Sequence, residues 1–496
     1  MWTWRIVLCV CFAAVVLSDD GKPSKVVKTA SGAVRGFQDP DSGVYEFLDI
    51  PYATAPTGPH KFKAPLPAST WEQTRDAIDS GIMCPQAIMM GMDLKRTKDE
   101  NCLLASVFTP DNVVKKLPVV VYVHGGAFQM GYGNMLKPTI LVREHNIIAV
   151  TFNYRLGVHG FLSLGTEDIP GNAGMKDQVA LLRWVKKNIA NFGGNPDDVT
   201  IAGYSAGSAA VDLLMLSESA QGLFNKVIPE SGANTAAFSI QSDPLKNAKW
   251  FAKTLQFNDV DNIEALEQFY KTLSYEQLTS DSFMDKTDST FVFSPCVERS
   301  LSEIDKANGK EVFLDESPTE IMKKGKFTKV PLLYGFANME GLLRMPFFDT
   351  WKEKMNEKFS DFLPADLKFK NEVEKEKVAK EVKEFYFGQK SIDNDAVLAY
   401  VDYFGDVIFA YPTLRAVKLQ VEDGHDQIYL YEYNFVDEDT PEVPHTNIRG
   451  ANHCAQTMAV FGTKMFALNS NESKEFKDMS SLIRKIWANF IKTGYV

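Results

Sequence analysis

The pentapeptide Gly203-Tyr-Ser-Ala-Gly207 holds the residue in this sequence best placed for nucleophilic chemistry. Residues 199–202 read as a short buried strand and residues from 208 onward as a helix, so Ser205 falls on the turn between them. A serine at so tight a bend takes strained dihedrals. Flanking side chains would collide with strand and helix, which explains the two glycines. The hydroxyl then projects beyond the sheet, with the amide of Ala206 directed at the same space. A helix entry with a capping serine also satisfies the pattern; the strand–turn–helix setting favours the nucleophile.

An activated serine needs a base, and the base needs an acid to orient it. On doubly wound sheets these follow in the order serine, acid, histidine, on loops at the carboxyl edge. Glu340 follows an apolar strand at 330–336 and precedes Gly341, although an ordinary solvated loop glutamate fits that position too. Among the seven histidines, His453 lies in Gly450-Ala-Asn-His-Cys454, well after Glu340. His124 follows the apolar run 119–123 and is expected to shape a loop rather than move protons. His60, His145, His159, His425 and His445 read as surface or packing residues. Gly125, Gly126 and Ala127 end that same strand, so the N–H groups of Gly126 and Ala127, with that of Ala206, can form a three-donor oxyanion site.

These residues require a frame of strands and helices. The run 119–123 and a second at 147–152 are continuously apolar, as in strands covered on both faces. Met175, Val179, Leu182, Val185, Ile189 and Phe192 recur at helical spacing, with Arg183, Lys186 and Lys187 off that stripe. Gly193-Gly194 stop this helix, and Asn195-Pro-Asp197 reads as the turn into the serine strand. Strand, helix, strand, elbow and helix imply right-handed crossovers and a mostly parallel, doubly wound α/β sheet. Further strands are expected at 226–229, 330–336 and 428–435, and charged helical cap insertions at about 240–325 and 350–425. An amphipathic helix is expected from 474 to about 492. Residues 25–67 read as a small antiparallel edge sheet, and 71–110 as mostly loop.

The 496 residues are 45% hydrophobic, enough for a large core, and carry a net charge of −11, which argues against nucleic acid and anionic membranes as partners. Residues 1–18 read as a signal peptide: Arg5, a short apolar core, then Ser18 as the cleavage point, leaving 19–496 as a single domain. No later apolar run reaches about eighteen residues, so a secreted, soluble protein is expected. Without Cys9 and Cys11, four cysteines remain. Cys84 and Cys102 form the natural disulfide pair, while Cys296 and Cys454 are either free or bridged. Asn471-Glu-Ser473 is a glycosylation sequon. The cysteine spacings fit no metal site, and no cofactor is implied.

Together these segments resemble the type-B carboxylesterase and cholinesterase family of α/β-hydrolases, over nearly the whole mature chain. His124-Gly-Gly-Ala-Phe128 is similar to its oxyanion segment and Asn153-Tyr-Arg-Leu-Gly157 to the segment after its next strand. Gly171 to Gln178 and Phe192 to Pro196 resemble its path to the elbow. Glu340 falls on its acid and His453 on its Gly-x-x-His histidine. Cys84 and Cys102 fall on its first disulfide, and Ser231 on a serine that supports histidine and acid in relatives. The resemblance implies a serine esterase acting on small-molecule carboxylic esters, most like secreted insect carboxylesterases.

Several positions depart from the pattern. Ala127 replaces a usual glycine, and Cys454-Ala-Gln456 stands where relatives place an acidic residue. Tyr204 stands where juvenile hormone esterases usually carry Gln, which argues against that subgroup. The loop from Cys84 to Cys102 has no tryptophan, and residues 255–273 lack the second family disulfide. Two other readings share the same serine: a slow or non-catalytic protein that sequesters esters or organophosphates, and an amidase or thioesterase. Hormone, pheromone, dietary and xenobiotic esters all fit, with Phe291 and Phe293 as candidate pocket residues, and no oligomeric state can be read.

Overall fold

The computed structural model describes residues 16–17, 22–87, 95–279, 285–300, 311–463 and 472–496. The rest of the expected signal peptide and the sequon residue Asn471 lie outside the described residues.

Ten strands carry the frame: β1 Pro23–Lys28, β2 Ala33–Gln38, β3 Tyr45–Pro51, β4 Leu104–Thr109, β5 Leu117–Val123, β6 Ile148–Phe152, β7 Gly194–Tyr204, β8 Lys226–Glu230, β9 Leu332–Ala337 and β10 Ile428–Tyr433. With the short pieces Val16–Leu17 and Arg75–Asp76 they form one twelve-stranded sheet, in the order β1-β2-β3-β4-β6-β5-β7-β8-β9-β10. Neighbours from β6 to β10 pair in parallel, and those from β1 to β6 antiparallel. The helices that matter below are α1 Thr139–His145, α2 Ala173–Asn188, α3 Ala206–Leu214, α4 Val397–Gly405, α5 Tyr411–Glu422, α6 Ala455–Phe461 and α7 Lys474–Thr493.

Strand β5 shows why its run is apolar on every residue. Val119, Val121 and Val123 enter a core shared with α2 and α3, while Val120 and Tyr122 enter a second core shared with α1, α6 and α7. Side chains alternate across a strand, so a sheet covered on both faces needs no polar positions. The exit of β6 is pinned to α2 by a buried pair: Arg155 donates to Asp177 from Nη2 at 2.6 Å, from Nε at 2.8 Å and from its backbone N–H at 3.0 Å.

As expected, β1, β2 and β3 pair antiparallel, and β3 joins them through β4 to one edge of the main sheet. Two expectations need correction. Within 71–110, expected to be mostly loop, β4 is a fully buried strand whose Ser106 hydroxyl accepts the Asp49 N–H at 3.2 Å. Ser106 interrupts its apolar run, which hides the strand from a pattern search. Strand β7 also begins earlier than expected. Gly194 pairs with Leu117, so Asn195-Pro196-Asp197 is extended backbone beside β5 and not a turn. The sharp stop is at Gly193, where φ is +91°. Cys84 and Cys102 form a disulfide, with Cα atoms 5.0 Å apart, and Cys296 and Cys454 are buried free thiols. Among the described residues no helix is long and apolar enough to cross a membrane.

Candidate active site

Strand β7 runs into α3 through Ser205, whose φ of 55° and ψ of −123° lie outside the ordinary regions for a side-chain-bearing residue. The flanking glycines are obligatory. A Cβ on Gly203 would sit 2.4 Å from the Gly207 carbonyl oxygen, and one on Gly207 would sit 2.2 Å from that of Val123. Helix α3 begins at Ala206, two residues earlier than its apolar pattern suggests. The Ser205 N–H donates to the Glu230 carbonyl at 2.8 Å, which ties the bend to the end of β8.

The end of β9 delivers Glu340 and the loop before α6 delivers His453. These two loops are cross-braced: Met339 N–H donates to the Ala451 carbonyl, and Ala451 N–H to the Asn338 side chain, both at 3.0 Å. His453 Nε2 is 2.9 Å from Ser205 Oγ, and its Nδ1 is 2.5 Å from Glu340 Oε2. The other carboxylate oxygen accepts from Ala337 N–H at 2.8 Å and from the Ser231 hydroxyl at 2.5 Å. Glu340 is 1% exposed, and Ser205 and His453 each 8%, so the three meet in a site largely removed from bulk water.

Residues 124–128 wrap close to the serine. A Cβ on Gly125 would lie 3.0 Å from that of Ser205. The backbone is left-handed at Gly126 (φ 109°), Ala127 (57°) and Phe128 (60°), and the turn is closed by Gln129 and Met130 N–H groups donating to the Gly126 carbonyl at 2.9 and 3.0 Å. Among the described residues, the N–H groups of Gly126, Ala127 and Ala206 make no hydrogen bond. Ala127 holds a conformation that glycine adopts without strain. His124 stacks on Tyr154 with centroids 4.4 Å apart, its Nδ1 is 2.8 Å from the Gly125 carbonyl, and burial pushes it down to about 4. It is a neutral wedge, as its place at the turn suggests.

Several contacts were not legible in the sequence. Gln456, a departure from the family pattern, donates from Nε2 to the Ser231 hydroxyl at 2.7 Å. Phe409 lies against the His453 ring, with centroids 4.4 Å apart. It comes from a π-helical turn, Asp406–Ala410, between α4 and α5, an irregularity often found at functional sites. Phe238 bridges Phe409 to Phe291, at 5.9 and 5.1 Å, so Phe291 belongs to the aromatic wall beside His453. Phe293 instead packs on Phe251 at 5.6 Å. Tyr204 stacks on Tyr122 in the second core, behind the elbow. A separate surface groove of about 1240 Å³ is lined by none of Ser205, Glu340 and His453, and its Arg183–Glu311 and Lys176–Glu298 charges are already paired.

Residues 23–495 match the model of the carboxylesterase family. The chain belongs to the carboxylesterase family. It is 32% identical to juvenile hormone esterase of Heliothis virescens over 97% of this chain and 87% of that protein. It is 31% identical to esterase FE4 of Myzus persicae, over 98% and 86%. Its fold superposes on juvenile hormone esterase from Manduca sexta with a TM-score of 0.82 at 29% identity, covering 95% of this chain and 91% of that one. This carboxylesterase thus has the α/β-hydrolase fold and is a carboxylic ester hydrolase.

Proposed function

We propose that this carboxylesterase cleaves small-molecule esters through an acyl-enzyme, with Ser205 as nucleophile, His453 as general base and Glu340 as the acid that orients it. The observation that carries the reading is the unbroken run Ser205 Oγ, His453 Nε2, His453 Nδ1, Glu340 Oε2, with gaps of 2.9 and 2.5 Å. His453 takes the hydroxyl proton as Ser205 attacks the ester carbonyl, and the negative oxygen is received by the N–H groups of Gly126, Ala127 and Ala206. These donors are fixed before substrate arrives, and each is worth about 3–4 kcal/mol of transition-state stabilisation. His453 then passes its proton to the leaving alcohol. Water, deprotonated by the same histidine, releases the acid. Ser231 holds Glu340 in the orientation this requires.

The aromatic wall of Phe409, Phe238 and Phe291 suits an apolar acyl or alcohol group. The relatives make juvenile hormone one ester to assay beside simple acetates. Tyr204 packs behind the elbow, so its departure from Gln bears on the core rather than on the substrate. Secretion of a single domain, residues 19–496, is the setting that the leader-like segment and the disulfide support.

A fluorophosphonate ester tests the assignment of roles. Ser205 Oγ should displace fluoride and gain one phosphonyl group, located by peptide mass, and His453→Ala should slow labelling by orders of magnitude. Labelling at another residue, or at an unchanged rate in that variant, contradicts the assignment.

A further inference from the structure

The mechanism leaves one buried carboxyl beside the site unused. Glu230 ends β8, is 0% exposed, and immediately precedes Ser231. Its backbone carbonyl accepts the Ser205 N–H. Its carboxyl oxygens receive the Tyr431 hydroxyl of β10 at 2.7 and 2.8 Å. Room for this pair is built into β9: a Cβ on Gly335 would fall 2.6 Å from Glu230 Oε2 and 2.4 Å from the Tyr431 ring. The Gln456 side chain touches the same carboxyl and donates to Ser231, which in turn donates to Glu340. Gln456 Oε1 is buried and has no hydrogen-bond partner among the described residues, an unfilled acceptor beside a group able to carry a proton.

We propose that Glu230 is a positioning residue for Glu340 and His453, acting through Gln456 and Ser231, and that its proton sets the charge behind the histidine. The proposal rests on the esterase reading above and adds a regulator to it. The titratable groups that face Glu230 are Tyr431 on β10, Tyr122 on β5, Cys454 beside His453, and Glu340 itself, and none of them is a cation. Burial without a neutralising partner raises the carboxyl to about 8, so it carries a proton at neutral pH. In that state Glu340 is the negative charge facing His453. When Glu230 releases its proton to solvent, a second negative charge stands behind Glu340 and favours the imidazolium that forms as Ser205 attacks. Turnover should therefore increase through this second ionisation.

The test is kcat for a chromogenic acetate from pH 6 to 10 in the wild type, Glu230→Gln, Tyr431→Phe and Ser205→Ala. Beyond the ionisation that a histidine base imposes, the wild type should show a second rise near pH 8, by roughly two- to tenfold for one added charge at partly screened range. Glu230→Gln should lose this second step while keeping the first. Tyr431→Phe should keep it but move it to higher pH, because the anionic carboxyl loses its phenol donor. A wild-type profile without the second step, or a Glu230→Gln profile that retains it, overturns the proposal. If Glu230→Gln fails to fold, Tyr431→Phe decides: a second step unmoved from the wild type overturns it, and a step moved upward supports it. Turnover surviving in Ser205→Ala would instead defeat the esterase reading.

Discussion

Ser231 shows how much of the site depends on one hydroxyl. It donates to Glu340 at 2.5 Å and accepts from Gln456 at 2.7 Å. Ser231→Ala removes a hydrogen bond to a charged group, worth about 1.5–3 kcal/mol, so kcat should fall by about 10- to 100-fold with KM little changed. Steady-state kinetics checks this, and an unchanged kcat would deny Ser231 a supporting role. Buried carboxyls make a second prediction. Burial raises Asp212 from the ordinary 3.8 to about 7, against the opposing hydrogen bonds from Tyr334 and the Asn234 N–H. An acid raised on folding contributes stability that is complete below its unfolded value and is lost as pH climbs to its folded one. Asp212→Asn should therefore gain on the wild type between about pH 4 and 7 and run parallel to it above. Urea unfolding at several pH values measures the difference. At this scale Ser205, Glu340, His453 and Ser231 were legible, because motif, chain order and family pattern marked them. Gln456 and Phe409 were not, because nothing in the spacing links residues 225 apart, such as Gln456 and Ser231.

The loops that follow β7, β8 and β9, with the one before α6, hold the candidate site residues, and backbone contacts brace them against one another. Gly341 is the tightest: a Cβ there would lie 1.9 Å from the Val401 carbonyl oxygen of α4. Gly341→Ala must push the acid-bearing turn Glu340–Phe347 away from α4, at a cost of about 1–3 kcal/mol. Thermal unfolding should show that loss together with a lower kcat, and retention of both would mean that the turn is free to shift. The elbow and helix α2 were readable from glycine placement and helical period. The start of β7 and the existence of β4 were not: backbone pairing with β5 in one case, and with β3 and β6 in the other, decides those strands, and neither leaves a clear apolar alternation.

Across the whole molecule, a sheet buried on both faces supports a site assembled from residues more than 100 positions apart in the chain, such as Ser231 with Glu340. The parallel half was legible from its apolar runs; joining the antiparallel half to the same sheet takes long-range pairing. The disulfide from Cys84 to Cys102 closes a loop with a separation of 18 and constrains the unfolded chain rather than the site. Replacing both cysteines with alanine should cost about 3 kcal/mol of stability and leave kcat near the wild-type value. Guanidinium unfolding and an ester assay on the same variant test both halves of that statement.

The central claim is that Ser205 turns over ester through an acyl-enzyme. The most direct measurement follows a chromogenic short-chain acetate at known enzyme concentration, in the wild type and in Ser205→Ala. The wild type should release many equivalents of alcohol at a steady rate, and the variant none above background. A single equivalent followed by a stall, or turnover that survives the loss of Ser205, would contradict it.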